Sequence, residues 1–233
     1  MKVTSADGGQ LSRSTLSANG TAVSLTPTVH TFTAERSRIR DNDRGFALSQ
    51  SAMTLLDSQV TRNGIGIRLF QSGATVRSST IAGNDTGIDG SADASNIDLS
   101  GSVVRANGVG VRLLGFGLRG AANAIESNTF KGNGGPGLVV DLEHSNAGAA
   151  LRIAENTFVD NGAAPVEVGL PGVSDQGAAI RVAADDASVV VSDNQARGNA
   201  GIGIDVVGAT DGGGNTARDN DGSSQCVGVV CGR

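Results

Sequence analysis

The sequence predicts an all-β protein, a solenoid of about nine coils of parallel strands, and three observations carry that prediction. One template recurs nine times, anchored on Asn19, Asn42, Asn63, Asn84, Asn107, Asn133, Asn161, Asn199 and Asn220. Around each anchor apolar residues alternate with polar ones at period two, the signature of a strand rather than a helix. Glycine supplies 35 of the 233 residues, far above the usual share, and clusters after the anchors where the chain must turn.

Each element of the repeat has a physical reason. Eight residues before the anchors lie Leu11, Ala34, Leu55, Val76, Leu99, Ile125, Ile153, Val191 and Gly212, the inward end of a first strand. Five before them lie Ser14, Ser37, Ser58, Ser79, Ser102, Asn128, Asn156, Asn194 and Asn215, small polar residues suited to a tight turn. Three before them lie Leu16, Ile39, Val60, Ile81, Val104, Phe130, Phe158, Ala196 and Ala217, a second inward position. Past the anchor, Gly opens a further alternation, as in Gly66-Ile67-Arg68-Leu69 and Gly110-Val111-Arg112-Leu113. The turns are expected to place Asn and Gly at positive φ, which both tolerate. A repeat this thin cannot bury its own apolar face, so the coils must stack about 4.8 Å apart. Stacking predicts a ladder of amides through Asn63, Asn84 and Asn107 that satisfies the buried turn. A leucine-rich repeat would need Leu five residues before the Asn, where this chain has Ser or Asn.

The anchor spacings are 23, 21, 21, 23, 26, 28, 38 and 21. The long ones predict insertions after Leu113, after Leu142 and after Val168, the last holding Ala179-Ile180-Arg181-Val182 as one extra strand. The chain reads as a single domain over 1–233. Residues 1–10 are an incomplete lead-in, and 221–233 form a C-terminal cap containing Cys226 and Cys231. No cap precedes the first coil, so a further domain or a partner is expected at that end.

Composition narrows the chemistry. Hydrophobic residues make up 38% and charged ones 18%, too apolar for disorder, and the scattered Gly and Asn exclude a helical bundle. No apolar run approaches the roughly 18 residues of a membrane span, and Met1 to Gln10 hold no apolar h-region. The net charge of −5 gives no overall attraction to nucleic acid or to an acidic membrane. Trp and Tyr are absent, so aromatic stacking is not the main chemistry. With His30 and His144 as the only histidines and Cys226 and Cys231 as the only cysteines, a structural zinc site is not expected.

From about Leu11 to Asn220 the repeat resembles the right-handed parallel β-helix proteins of the pectate-lyase-like superfamily. The resemblance implies a right-handed parallel β-helix and export from the cell, to the medium or the cell surface. With export, Cys226-Val-Gly-Val-Val-Cys231 is expected to close as a disulfide. Members include pectate lyases, polygalacturonases, alginate epimerases and lyases, and adhesins, so the fold alone does not choose an activity. Their catalytic signatures do not carry over: there is no Gly-His-Gly, Asn-Thr-Asp or Asp-Pro-His-Glu, and Asp185-Asp186 falls in the longest insertion.

Two outward columns follow from the register. The residues two before the anchors are Ser17, Arg40, Thr61, Ala82, Arg105, Lys131, Val159, Arg197 and Arg218, five of them basic on an acidic protein. This is either a solvated face or a track for an anionic polymer. On the Gly-Ile-x-Leu strands the outward residues are Ser24, Ala47, Arg68, Asp89 and Arg112, then Asp141 after a shift of two, Glu167 and Asp205. Arg68, Asp89, Arg112 and Asp205 are the candidate substrate-binding residues, with a ladder of surface ion pairs as the plainer reading. Beside the insertions, Asp141, Glu143, His144 and Glu167 are the candidate acid and base groups. Asp141, Glu167 and Asp205 offer oxygen ligands for calcium, although no dense Asp-x-Asp pattern supports it and no cofactor is otherwise expected. The function expected is recognition of an extracellular polysaccharide, most simply an anionic one held by Arg, or a structural and adhesive role. The alternative is a lyase, hydrolase or epimerase acting on acidic glycans.

Overall fold

The computed structural model describes residues 2–3, 8–27, 31–91, 96–114, 123–142, 150–163, 178–184 and 189–232. Their strands fall into three parallel sheets of nine, nine and ten strands, stacked coil on coil in sequence order. In each coil the chain visits the first sheet, then the second, then the third. In the fourth coil these strands are Gly73–Arg77, Thr80–Ala82 and Thr86–Ser91. Each pairs with its counterparts one repeat earlier and one repeat later.

The inward residues of all three sheets form one apolar core running the length of the solenoid. Ala74 and Val76 enter it from the first sheet, Ile81 from the second and Ile88 from the third, all buried. Phe130 and Phe158, three residues before their anchors, stack face to face at 4.5 Å inside it.

Between the second and third sheets the anchoring asparagines form the expected ladder. Asn63 donates its Nδ2 to Asn84 Oδ1 at 3.0 Å, and Asn84 donates to Asn107 Oδ1 at 2.9 Å. The same pattern runs unbroken from Asn19 to Asn220. Each acceptor oxygen also takes the backbone N–H of the asparagine one coil earlier, as Asn84 Oδ1 takes that of Asn63 at 2.9 Å. The second proton of Nδ2 reaches the backbone, for example Ile39 O from Asn63. A second ladder runs between the first and second sheets. There Ser Oγ and then Asn Oδ1 accept the backbone N–H of the preceding coil, from Ser14 to Asn215.

The turn geometry meets the expectation for Gly, as Gly83, Gly132 and Gly198 have positive φ, and differs from it for Asn. Positive φ belongs to the residue before the anchor, including Ala18, Asp41, Arg62, Ala106 and Asp160, and not to the asparagine. The glycine that opens the third-sheet strand is required for a different reason. A Cβ on Gly110 would stand 2.2 Å from Gly137 O, and one on Gly66 2.5 Å from Gly87 O. Close approach of stacked backbones, not φ, excludes a side chain there.

The insertions are also redistributed. Ile180–Ala183 is no extra strand. It is the seventh coil's regular member of the third sheet, paired with Leu138–Asp141 on one side and Ile204–Val207 on the other. The longest insertion therefore precedes that strand instead of containing it.

Residues beyond the last anchor close the end of the core. Gln225 Oε1 accepts both the backbone N–H and Nδ2 of Asn220, at 3.0 and 2.8 Å, taking the place of a tenth asparagine. Cys226–Val227 adds a last strand to the third sheet, and Gly232 bridges to Thr216 of the second. The disulfide Cys226–Cys231 ties the two ends of this crossing together, as expected. No helix among the described residues is long and apolar enough to cross a membrane.

Candidate functional site

The third sheet carries the strip of candidate binding residues. Arg68 stands beside Asp89, and Asp89 beside Arg112, on successive strands. Arg112 donates Nε to Asp89 Oδ1 at 2.9 Å, with Nη2 at the same distance from that oxygen. Both side chains are largely covered, 25% and 12% exposed, so this arginine is committed to a neighbour. Arg68 makes no ion pair among the described residues.

Beyond Arg112 the strip changes character. One extra residue after Asn133 shifts the strand, so Val139 stands opposite Arg112 and Asp141 stands opposite Leu114. The following member of the column is Arg181, opposite Val139 and then Asp205. Sequence reading missed Arg181 here because Val166-Glu167-Val168 follows Asn161 at nearly the spacing of Val111-Arg112-Leu113 after Asn107. Glu143, His144 and Glu167 lie outside the described residues. Asp141 and Asp205 are two coils apart and two residues out of register, a separation of roughly 12 Å that one calcium ion does not bridge. Among the described residues no cluster of His, Cys, Asp or Glu is arranged to hold a metal.

The second sheet carries the other column in the expected register. Arg105 lies beside Lys131, Lys131 beside Val159, Val159 beside Arg197 and Arg197 beside Arg218. Arg40, nearer the N-terminal end, is held by Asp41 at 2.7 Å. The Arg62 guanidinium, aided by Arg40, draws the Asp41 carboxyl below its ordinary pKa. Arg105, Lys131, Arg197 and Arg218 are exposed and have no ion-pair partner among the described residues. The parallel column two residues back reads Thr129, Thr157, Gln195 and Thr216. At the C-terminal end the two columns line a shallow cleft of about 260 Å³ floored by Val159 and edged by Thr157, Gln195, Arg197, Thr216 and Arg218.

The aromatic residues sit elsewhere. Phe32, Phe46, Phe130 and Phe158 are buried in the core, and Phe70, 43% exposed, ends a strand of the third sheet. Phe116 lies outside the described residues. Among the described residues the second-sheet face therefore offers guanidinium, ammonium, hydroxyl and amide groups without a stacking platform.

Three parallel sheets, a continuous core and an asparagine ladder define a parallel β-solenoid with a cationic outer column. A sequence model of the right-handed beta helix region matches residues 1–117 and again 51–221, and the chain belongs to that family. Its coils are right-handed accordingly. No curated protein matches the chain, and no solved structure does.

Proposed function

We propose that the protein is an exported β-helix module that recognises an anionic polysaccharide on the outer face of its second sheet. The observation that carries this reading is the column Arg105, Lys131, Arg197 and Arg218, four exposed cations in register with no ion pair among the described residues, on a protein of net charge −5. Carboxylates pair with guanidinium groups through two parallel hydrogen bonds, and the neighbouring Thr and Gln side chains suit sugar hydroxyls. The Cys226–Cys231 disulfide supports an oxidising location.

The strip of the third sheet, with Arg68, Asp89, Arg112 and Asp205, is the second reading, favoured by Arg68, which has no ion pair among the described residues. Catalysis would fall to Asp141, Glu143, His144 and Glu167. Titration calorimetry against acidic and neutral polysaccharides, run beside an absorbance assay for unsaturated uronides, tests both. Binding of the acidic polymer alone, with no product, is expected. Accumulating product contradicts a purely binding role, and equal binding of neutral polymers contradicts recognition by charge.

A further inference from the structure

We infer that the cations of the second sheet act as one track that crosses Val159 and selects polymers by the spacing of their charges. The inference rests on the binding reading above. Successive coils place Arg105, Lys131, Val159, Arg197 and Arg218 about 4.8 Å apart, so the column is roughly 19 Å long and runs along the solenoid axis. Counted in coils from Arg105, the cations fall at positions zero, one, three and four. A chain with an acidic group on every sugar, recurring at about the coil repeat, meets all four. A chain with an acid on every second sugar meets two, in either phase. The hydroxyl and amide column of Thr129, Thr157, Gln195 and Thr216 runs at the same heights, one outward position away.

Two further features define the ligand. Among the described residues the face has no aromatic side chain for base stacking, which single-stranded nucleic acid uses. Asp160 and Asp219 lie on the turns directly after the column and make no ion pair with it among the described residues. They oppose a polyanion, so removing the charge of Asp160 tightens binding.

End-labelled oligogalacturonate, acidic at every sugar, and hyaluronan oligosaccharide of matched length, acidic at every second sugar, are the probes, read by fluorescence anisotropy. The wild-type protein is expected to bind the oligogalacturonate about tenfold more tightly, and binding of it to fall about three- to tenfold for the pair Arg105→Ala and Lys131→Ala and likewise for Arg197→Ala and Arg218→Ala. Val159→Lys fills the gap and tightens binding about threefold. Val159 is only 9% exposed, so the alanine pairs, all at exposed positions, carry the test if that variant does not fold. Equal affinity for the two glycans overturns the inference. So does an alanine pair that leaves affinity unchanged, or oligodeoxythymidylate binding as tightly as oligogalacturonate. Failure of the wild type to bind either glycan overturns the underlying reading instead.

Discussion

Ala106, in the turn before Asn107, and Gly110, in the strand Val109–Leu114, stand four residues apart, and exchanging their residue types should act in opposite directions. Ala106 has a φ of 52°, where a Cβ costs about 1 kcal/mol, so Ala106→Gly is expected to raise the melting temperature. Gly110→Ala drives a methyl into the Gly137 carbonyl at 2.2 Å and should lower it by more than the first change raises it. Thermal unfolding of the two variants checks this, and a shared sign contradicts the turn geometry. The inward and outward positions make a second contrast. Val104 is fully buried, and Val104→Asp puts an unpaired carboxylate into the core at a cost of several kcal/mol, about 3 or more, whereas Thr61→Asp on the outer face changes stability by about 0.5 kcal/mol. Comparable shifts in denaturant midpoint would overturn the assignment of faces. That assignment was legible in the sequence because inward residues recur at fixed offsets from each Asn. The left-handed residue was not, since Ala18, Asp41, Arg62 and Asp160 share a backbone conformation and no side-chain property.

Among the elements, the C-terminal crossing most needed the structure. Gln225 continues the asparagine ladder from a position that repeats nothing, five residues after Asn220. Asp211 ends the second ladder, accepting from Gly213 N–H and Val230 N–H and from Asn215 Nδ2. The Val230 and Gly213 N–H groups hold its carboxyl below the ordinary value of 3.8. A depressed folded-state pKa gives stability that is fully present above pH 3.8 and is lost as pH falls through the lower, folded value. Asp211→Asn should therefore destabilise the protein at neutral pH and flatten its loss of stability in acid. Melting curves between neutral and strongly acidic pH read this directly, and parallel curves for the two proteins would contradict it. The third-sheet strand of the seventh coil shows the limit of reading by spacing. Val166-Glu167-Val168 and Ile180-Arg181-Val182 are both strand-like, and only stacking against Val139 and Asp205 selects the second.

Across the whole molecule, a solenoid converts a sequence offset into a straight column, so charge along one face is set by one residue per repeat. On the third sheet Asp89 and Arg112 pair with each other, and Arg68 makes no ion pair among the described residues. The second sheet leaves Arg105, Lys131, Arg197 and Arg218 in line, without an ion pair among the described residues. The column was visible in the sequence, but its lack of ion pairs among the described residues was not, because pairing depends on side-chain reach between coils. The most direct test is an arginine footprint: phenylglyoxal modification with and without oligogalacturonate, mapped by mass spectrometry. The account predicts that the ligand shields Arg105, Arg197 and Arg218 while Arg68 reacts as before. Shielding of Arg68 with Arg105, Arg197 and Arg218 unaffected would place the ligand on the third sheet and contradict it.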